Sequence, residues 1–162
     1  MNKQEVYEFL DKKKIKYEVT EHEAVYNMAE LANVVLPYPE ADAKNLFIRD
    51  DKKRQYYLIT IRGDKRVDLR EFRKTNNTRP LSFASEDDLL SVMGLAKGSV
   101  TPFGLLNDAS CSVEFYLDKS FLNEGSIIGV HPNDNTATVW LNSKDLLSII
   151  EEHGNRVHVV AM

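Results

Sequence analysis

Cysteine is nearly missing from this chain: Cys111 is the only one in 162 residues. That excludes an internal disulfide and any cysteine cluster holding a metal. The thiol alternates into an apparent strand, CSVEFYL, where a buried core residue is expected in place of a nucleophile. Long apolar runs are missing too. No stretch reaches eighteen residues, so none has the length of a membrane-spanning helix, and the opening MNKQEVYEFLDKKK reads as a charged amphipathic helix and not as a signal peptide. A cytoplasmic protein with no membrane partner is expected. The patterns GxSxG, HExxH, GxGxxG and the P-loop do not occur. The four histidines, His22, His131, His153 and His158, are far apart and never at ligand spacing with another His or Cys. Neither a bound metal nor a cofactor is therefore expected.

What remains is an ordinary globular composition, 43% hydrophobic and 28% charged, at a length that suits one domain over 1–162. The net charge of −4 argues against a general nucleic-acid binder, but the charge is unevenly placed. Residues 52–79 carry ten Lys/Arg against three Asp/Glu, and the rest of the chain carries eleven against twenty-two. This basic stretch on an acidic body is either a solvated, salt-bridged surface or a contact surface for phosphates.

Asn2 with Glu5 forms a capping box ahead of Val6, Phe9 and Leu10, which predicts a helix over 3–14. Ile15, Tyr17 and Val19 alternate as in a short half-buried strand, and a second helix is expected from Asn27 to about 35. AKNLFIRD and QYYLITIRG, joined by DDKKR, read as a hairpin. Asp68 caps a helix, LREFRKTN, and Ser85 with Asp88 caps EDDLLSVMG, with Gly94 as a left-handed stop. Three strands follow in SVEFYLD, SIIGVHP and TATVWLN; Ser143 is expected to cap a helix closed by Gly154, and RVHVVAM ends the chain as a strand. Helices and strands mix without strict alternation, which gives an α+β class with a central mixed sheet.

Candidate chemistry gathers at three places. Lys44 stands at the entrance to an apolar strand, where it either snorkels to solvent or points into a cleft. In GSVTPFG, Gly98 opens φ values closed to other residues and Pro102 fixes φ and removes a donor, so the loop is either a rigid turn or backbone held open for a ligand. His131 precedes Pro132, which forces it into an extended conformation; it either packs or lines a pocket.

AKNLFIRD, KRVDLREFRK, LSFASEDDLLSVMGLAKGSVTPFGLLND and VHPNDNTATVWLN, in this order and spacing over residues 5 to 153, resemble the YbaK/ProX family of prolyl-tRNA editing proteins. The similarity is strongest to the ProX branch. The resemblance implies a mixed, curved β-sheet flanked by helices and a deacylase that clears alanine from the proline tRNA; a cysteine-specific deacylase and a non-catalytic tRNA- or synthetase-binding module are the alternatives. It further implies Lys44 as the catalytic lysine, Asn45 beside it, a GxxxP loop over Gly98, Ser99, Val100, Thr101 and Pro102 whose carbonyls receive the substrate's α-ammonium, and His131 in the pocket wall. Tyr26 and Met28 would sit in the pocket's N-terminal wall. The implied partners are the acceptor end of a proline tRNA and prolyl-tRNA synthetase, with Arg66, Arg70 and Arg73 of the basic stretch as candidate tRNA contacts.

Overall fold

The computed structural model describes residues 1–24 and 35–162; the expected helix from Asn27, and Tyr26 and Met28, lie outside them. Helix α1 (Lys3–Lys12) starts where foreseen, since the Asn2 side chain accepts from the Glu5 amide and Glu5 reaches back to the Asn2 amide. Its Val6 and Leu10, four residues apart, are fully buried on one face. Strand β1 is shifted from expectation to Tyr17–Glu21; among the described residues it pairs with β7 alone, and Val19 is exposed.

β2 (Ala43–Asp50) and β3 (Tyr56–Arg62) form the foreseen hairpin. Helix α2 (Leu69–Asn76) is capped by Asp68, and a short strand that periodicity did not reveal, β4 (Leu81–Phe83), pairs with the far end of β2. Helix α3 (Glu86–Met93) carries the Ser85 and Asp88 capping box and stops at Gly94 in the left-handed region, φ 64°. β5 (Val113–Asp118), β6 (Ile127–Val130), β7 (Ala137–Asn142), α4 (Ser143–His153) and β8 (Val157–Val160) complete the chain. The cap of α4 is Asn142 and not Ser143: its side chain accepts from the Lys144 amide.

The strands divide into two sheets. Five strands run in the order β4, β2, β3, β5, β8, antiparallel from β4 to β3 and parallel from β3 to β8; three antiparallel strands run β1, β7, β6. A bridge between Asp42 and Gly129 connects the start of β2 to β6. The larger sheet is covered on both sides, so β2 and β3 read as near-continuous apolar runs. On one side Phe47, Leu58 and Phe115 pack with Val6 and Leu10 of α1, Leu89 and Met93 of α3, Leu146 and Ile150 of α4, and Ile128 and Val139 of the small sheet. On the other, Ile48, Tyr57, Ile59 and Ile61 pack under Phe72 of α2.

Cys111 departs from the sequence expectation. It is half-buried in a left-handed turn, φ 53°, ahead of β5. Its thiol donates to the His153 carbonyl at 3.5 Å. Among the described residues, no helix is long and apolar enough to cross a membrane.

Candidate active site

Strand alternation separates two sequence neighbours. Ala43, Asn45 and Phe47 face the large core, whereas Lys44, Leu46 and Ile48 face the α2 side, opposite Ile61, Ile59 and Tyr57 of β3. β4 pairs only with residues 48–50, and among the described residues no strand pairs with residues 43–47 on that edge of β2. A groove of about 270 Å³ follows that edge, lined by Asn45, Phe83, Ser85, Lys97, Gly98 and Val100 among others. Asn45 and the Gly98 loop thus share one hollow. Lys44 does not line it, and is a half-buried residue with no ion-pair partner among the described residues.

One residue outside the motif orients Asn45. Thr60, directly across from Asn45 on β3 and fully buried, donates its hydroxyl to Asn45 Oδ1 at 2.6 Å. With Oδ1 occupied, the Asn45 amide nitrogen is left as a donor. Thr60 escaped the sequence reading because only the hairpin register brings positions 45 and 60 together.

The loop from Lys97 to Thr101 is built as its composition requires. Gly98 has φ +88°, a region costly for any residue with a Cβ. The Ser99 amide donates back to Ala96, and the Gly104 amide to Thr101, but the carbonyls of Gly98, Ser99 and Val100 accept no hydrogen bond from any described residue. Ser99 and Thr101 are buried, and Pro102 opens a buried turn of 3-10 helix. Thr101 donates its hydroxyl to the His131 carbonyl at 2.5 Å, so the loop is anchored to the end of β6.

His131 donates Nδ1–H to the Ala137 carbonyl at 2.8 Å, and its ring meets that of His22 edge-on at 6.0 Å. Burial pulls the His131 imidazole below its usual pKa, with the Ala137 carbonyl opposing and the neighbouring His22 reinforcing the shift. Its Nε2 makes no hydrogen bond with any described residue.

Asp42, two residues before Lys44, is buried, and burial alone pushes its carboxyl from 3.8 up to about 7. Between those values the folded chain holds a proton that the unfolded chain has released, so stability falls as pH rises through this window, by on the order of 1 kcal/mol per unit. Asp42→Asn is expected to abolish the decline. Urea midpoints at pH 5 and pH 7.5 check it: the parent drops at the higher pH and the variant does not.

The basic stretch is only partly available to a ligand. Arg62 donates to Ser120 and to the Glu40 carbonyl and lies over Phe121, Lys65 pairs with Asp118, and Arg79 forks onto Asp51. Arg66, Arg70 and Arg73 are exposed and make no ion pair with any described residue, and Arg70 and Arg73 stand three apart on α2.

Comparison with known proteins bears on this geometry. Residues 22–149 match the family model of the aminoacyl-tRNA editing domain. The chain is 41% identical over 160 residues to the prolyl-tRNA editing protein ProX of Acetoanaerobium sticklandii, covering 99% of this chain and 97% of that one. It is 33% identical over 144 residues to the prolyl-tRNA synthetase associated domain-containing protein 1 of Mus musculus, covering 87% and 85%. A solved structure of a proposed trans-editing enzyme for prolyl-tRNA synthetase superposes with TM-score 0.69 at 21% identity, over 99% of this chain and 96% of that one.

Proposed function

The chain belongs to the aminoacyl-tRNA editing domain family, and on that premise we propose that it is a trans-acting deacylase that clears alanine from mischarged proline tRNA. The observation that carries this reading is one groove lined by Asn45 together with Gly98 and Val100, whose carbonyls accept no hydrogen bond from any described residue. An aminoacyl ester is already reactive, so positioning and oxyanion stabilisation suffice and no side-chain nucleophile is required.

In this mechanism the carbonyls of Gly98, Ser99 and Val100 receive the α-ammonium of the aminoacyl group. The amide nitrogen of Asn45, its orientation fixed by Thr60, donates to the ester oxygen as it becomes an oxyanion. Water attacks the carbonyl carbon with help from the adjacent ribose 2′-hydroxyl, the ester C–O bond breaks, and the proton passes to the departing ribose oxygen. Lys44, on the other face of the same edge, holds the phosphate of the terminal nucleotide.

Selection against proline is steric and polar together. A missing or added methylene is worth only about 1–3 kcal/mol in an apolar pocket. A pyrrolidine ring also has one N–H fewer for the carbonyl cradle, and His131, whose carbonyl anchors Thr101 of the loop, is the candidate for the wall behind it although it does not line the groove itself.

Labelled Ala-tRNA(Pro), Cys-tRNA(Pro) and Pro-tRNA(Pro), each incubated with the purified protein, test the assignment. Release of alanine fastest, with proline retained, is the expected result; release of none removes the enzyme, and release of cysteine fastest changes the substrate. The tRNA body is read through its phosphates by Arg66, Arg70 and Arg73. Reversing Arg70 and Arg73 to Glu is expected to raise KM and to flatten the dependence of log KM on log salt by about 1 per lost phosphate contact. Steady-state kinetics between 50 mM and 200 mM salt read that slope, and an unchanged slope removes these arginines from the interface.

A further inference from the structure

Phe83 is 62% exposed, an unusual position for a large aromatic side chain, and belongs to neither core cluster. It is the last residue of the three-residue edge strand β4 and lines the same groove as Asn45 and Gly98. Its placement is rigid. The Ala84 amide donates to the Phe47 carbonyl at 3.0 Å, and Ser85 then enters the capping box with Asp88. Asp88 in turn pairs with Arg49 of β2 and accepts from Tyr56 of β3. An aromatic ring is therefore held at the mouth of the groove by backbone that the core immobilises.

Phe83 lies across from Ile48 in the β2–β4 ladder. Cross-strand partners share a face, and Lys44 shares it by alternation; the groove wraps the sheet edge, taking in Leu46 of that face as well as Asn45 and Phe47 of the other, so Phe83 reaches it from the side of Lys44, whose ammonium has no ion-pair partner among the described residues. Four residues of β2 separate their positions, roughly 13 Å at strand rise. A lysine side chain and one nucleotide bridge such a gap.

We propose that Phe83 is the stacking platform for the terminal nucleobase of the RNA whose ester enters the groove, with Lys44 holding the phosphate that leads to it. The proposal rests on the deacylase reading above. The ligand is a nucleobase π-face attached to a 3′-terminal ribose. Stacking explains an exposed aromatic here without asking it to stabilise the fold, and it is tolerant of base identity because every base has a π-face. Phe83 is a positioning residue: it orients the ribose and touches no reacting atom.

The sequence contains one tryptophan, Trp140, which is 2% exposed. A Phe83→Trp variant therefore adds a single exposed indole over a shielded background. Titration with an uncharged acceptor-stem hairpin ending in CCA is expected to quench its emission saturably, and the same hairpin ending in CC is expected to quench far less. Equal quenching by both hairpins, or by neither, overturns the proposal, and this readout does not depend on catalysis. In deacylation, Phe83→Ala is expected to raise KM about tenfold with kcat nearly kept, and Phe83→Tyr to restore it. An unchanged KM in Phe83→Ala assigns the ring to a protein partner instead and also overturns the proposal. Active parent enzyme with no CCA-dependent quench removes Phe83 alone; a CCA-dependent quench in an inactive parent removes the deacylase reading and keeps the base site.

Discussion

Asn45→Ala is expected to lower kcat for Ala-tRNA(Pro) by about a hundredfold or more with little change in KM, and Lys44→Ala to raise KM while leaving most of kcat. The contrast comes from one strand. Adjacent positions of β2 project to opposite faces, and Asn45 lines the groove while Lys44 does not. An amide aimed at a developing oxyanion acts only in the transition state, and loss of one such donor costs about 10²–10³ in kcat. A phosphate contact acts equally before and during reaction, so its loss appears as KM. Thr60→Val, which removes the hydroxyl that orients Asn45, is expected to fall between Asn45→Ala and the parent in kcat. Single-turnover rates and KM for the three variants decide this; equal kcat losses in Lys44→Ala and Asn45→Ala place both groups on the reacting carbonyl.

The largest expected loss of stability lies at Gly129. A Cβ there would stand 2.3 Å from Trp140 Cζ3 and 2.6 Å from Cε3. The indole cannot yield, because its Nε1 donates to Thr20 at 2.9 Å and its ring packs against Tyr38. Gly129→Ala must therefore push β6 from β7, at a cost of about 3 kcal/mol, or roughly 8 °C in Tm. Gly129 also makes the bridge to Asp42 and lies two residues before His131, so the displacement reaches the anchor of the Gly98 loop. Gly125→Ala is the comparison: nothing lies within 4 Å of its Cβ, and only the cost of φ +71°, about 1 kcal/mol, is expected. Calorimetry of both variants measures the difference. Similar Tm values for the two would show that the Trp140 contact is soft.

Features fixed by short-range chemistry were legible from the sequence. The caps at Asn2, Asp68 and Ser85, the stop at Gly94 and the positive φ of Gly98 depend on residues within four positions of one another. Features set by pairing were not. No local pattern announces β4, which is three residues long, or the split into two sheets, which turns on β6 and β7 pairing with each other and not with the larger sheet. The side of β2 that each residue of the Lys44–Asn45 pair faces depends on which core covers which face, and the role of Thr60 depends on a hairpin register. Composition overstated the basic stretch, since Arg62, Lys65 and Arg79 are spent on internal partners. Cys111 escaped its expected strand because Asp108 ties the turn ahead of β5, accepting from the Val113 amide and from Asn155.

The central claim is that main-chain carbonyls near position 100 cradle the α-ammonium of the substrate while Asn45 meets its ester. Comparing kcat/KM for Ala-tRNA(Pro) and its N-acetylated form measures this directly, because acetylation removes the ammonium and leaves the ester and the RNA unchanged. A loss of about a hundredfold or more on acetylation is predicted. Hydrolysis of both at the same rate would contradict the account.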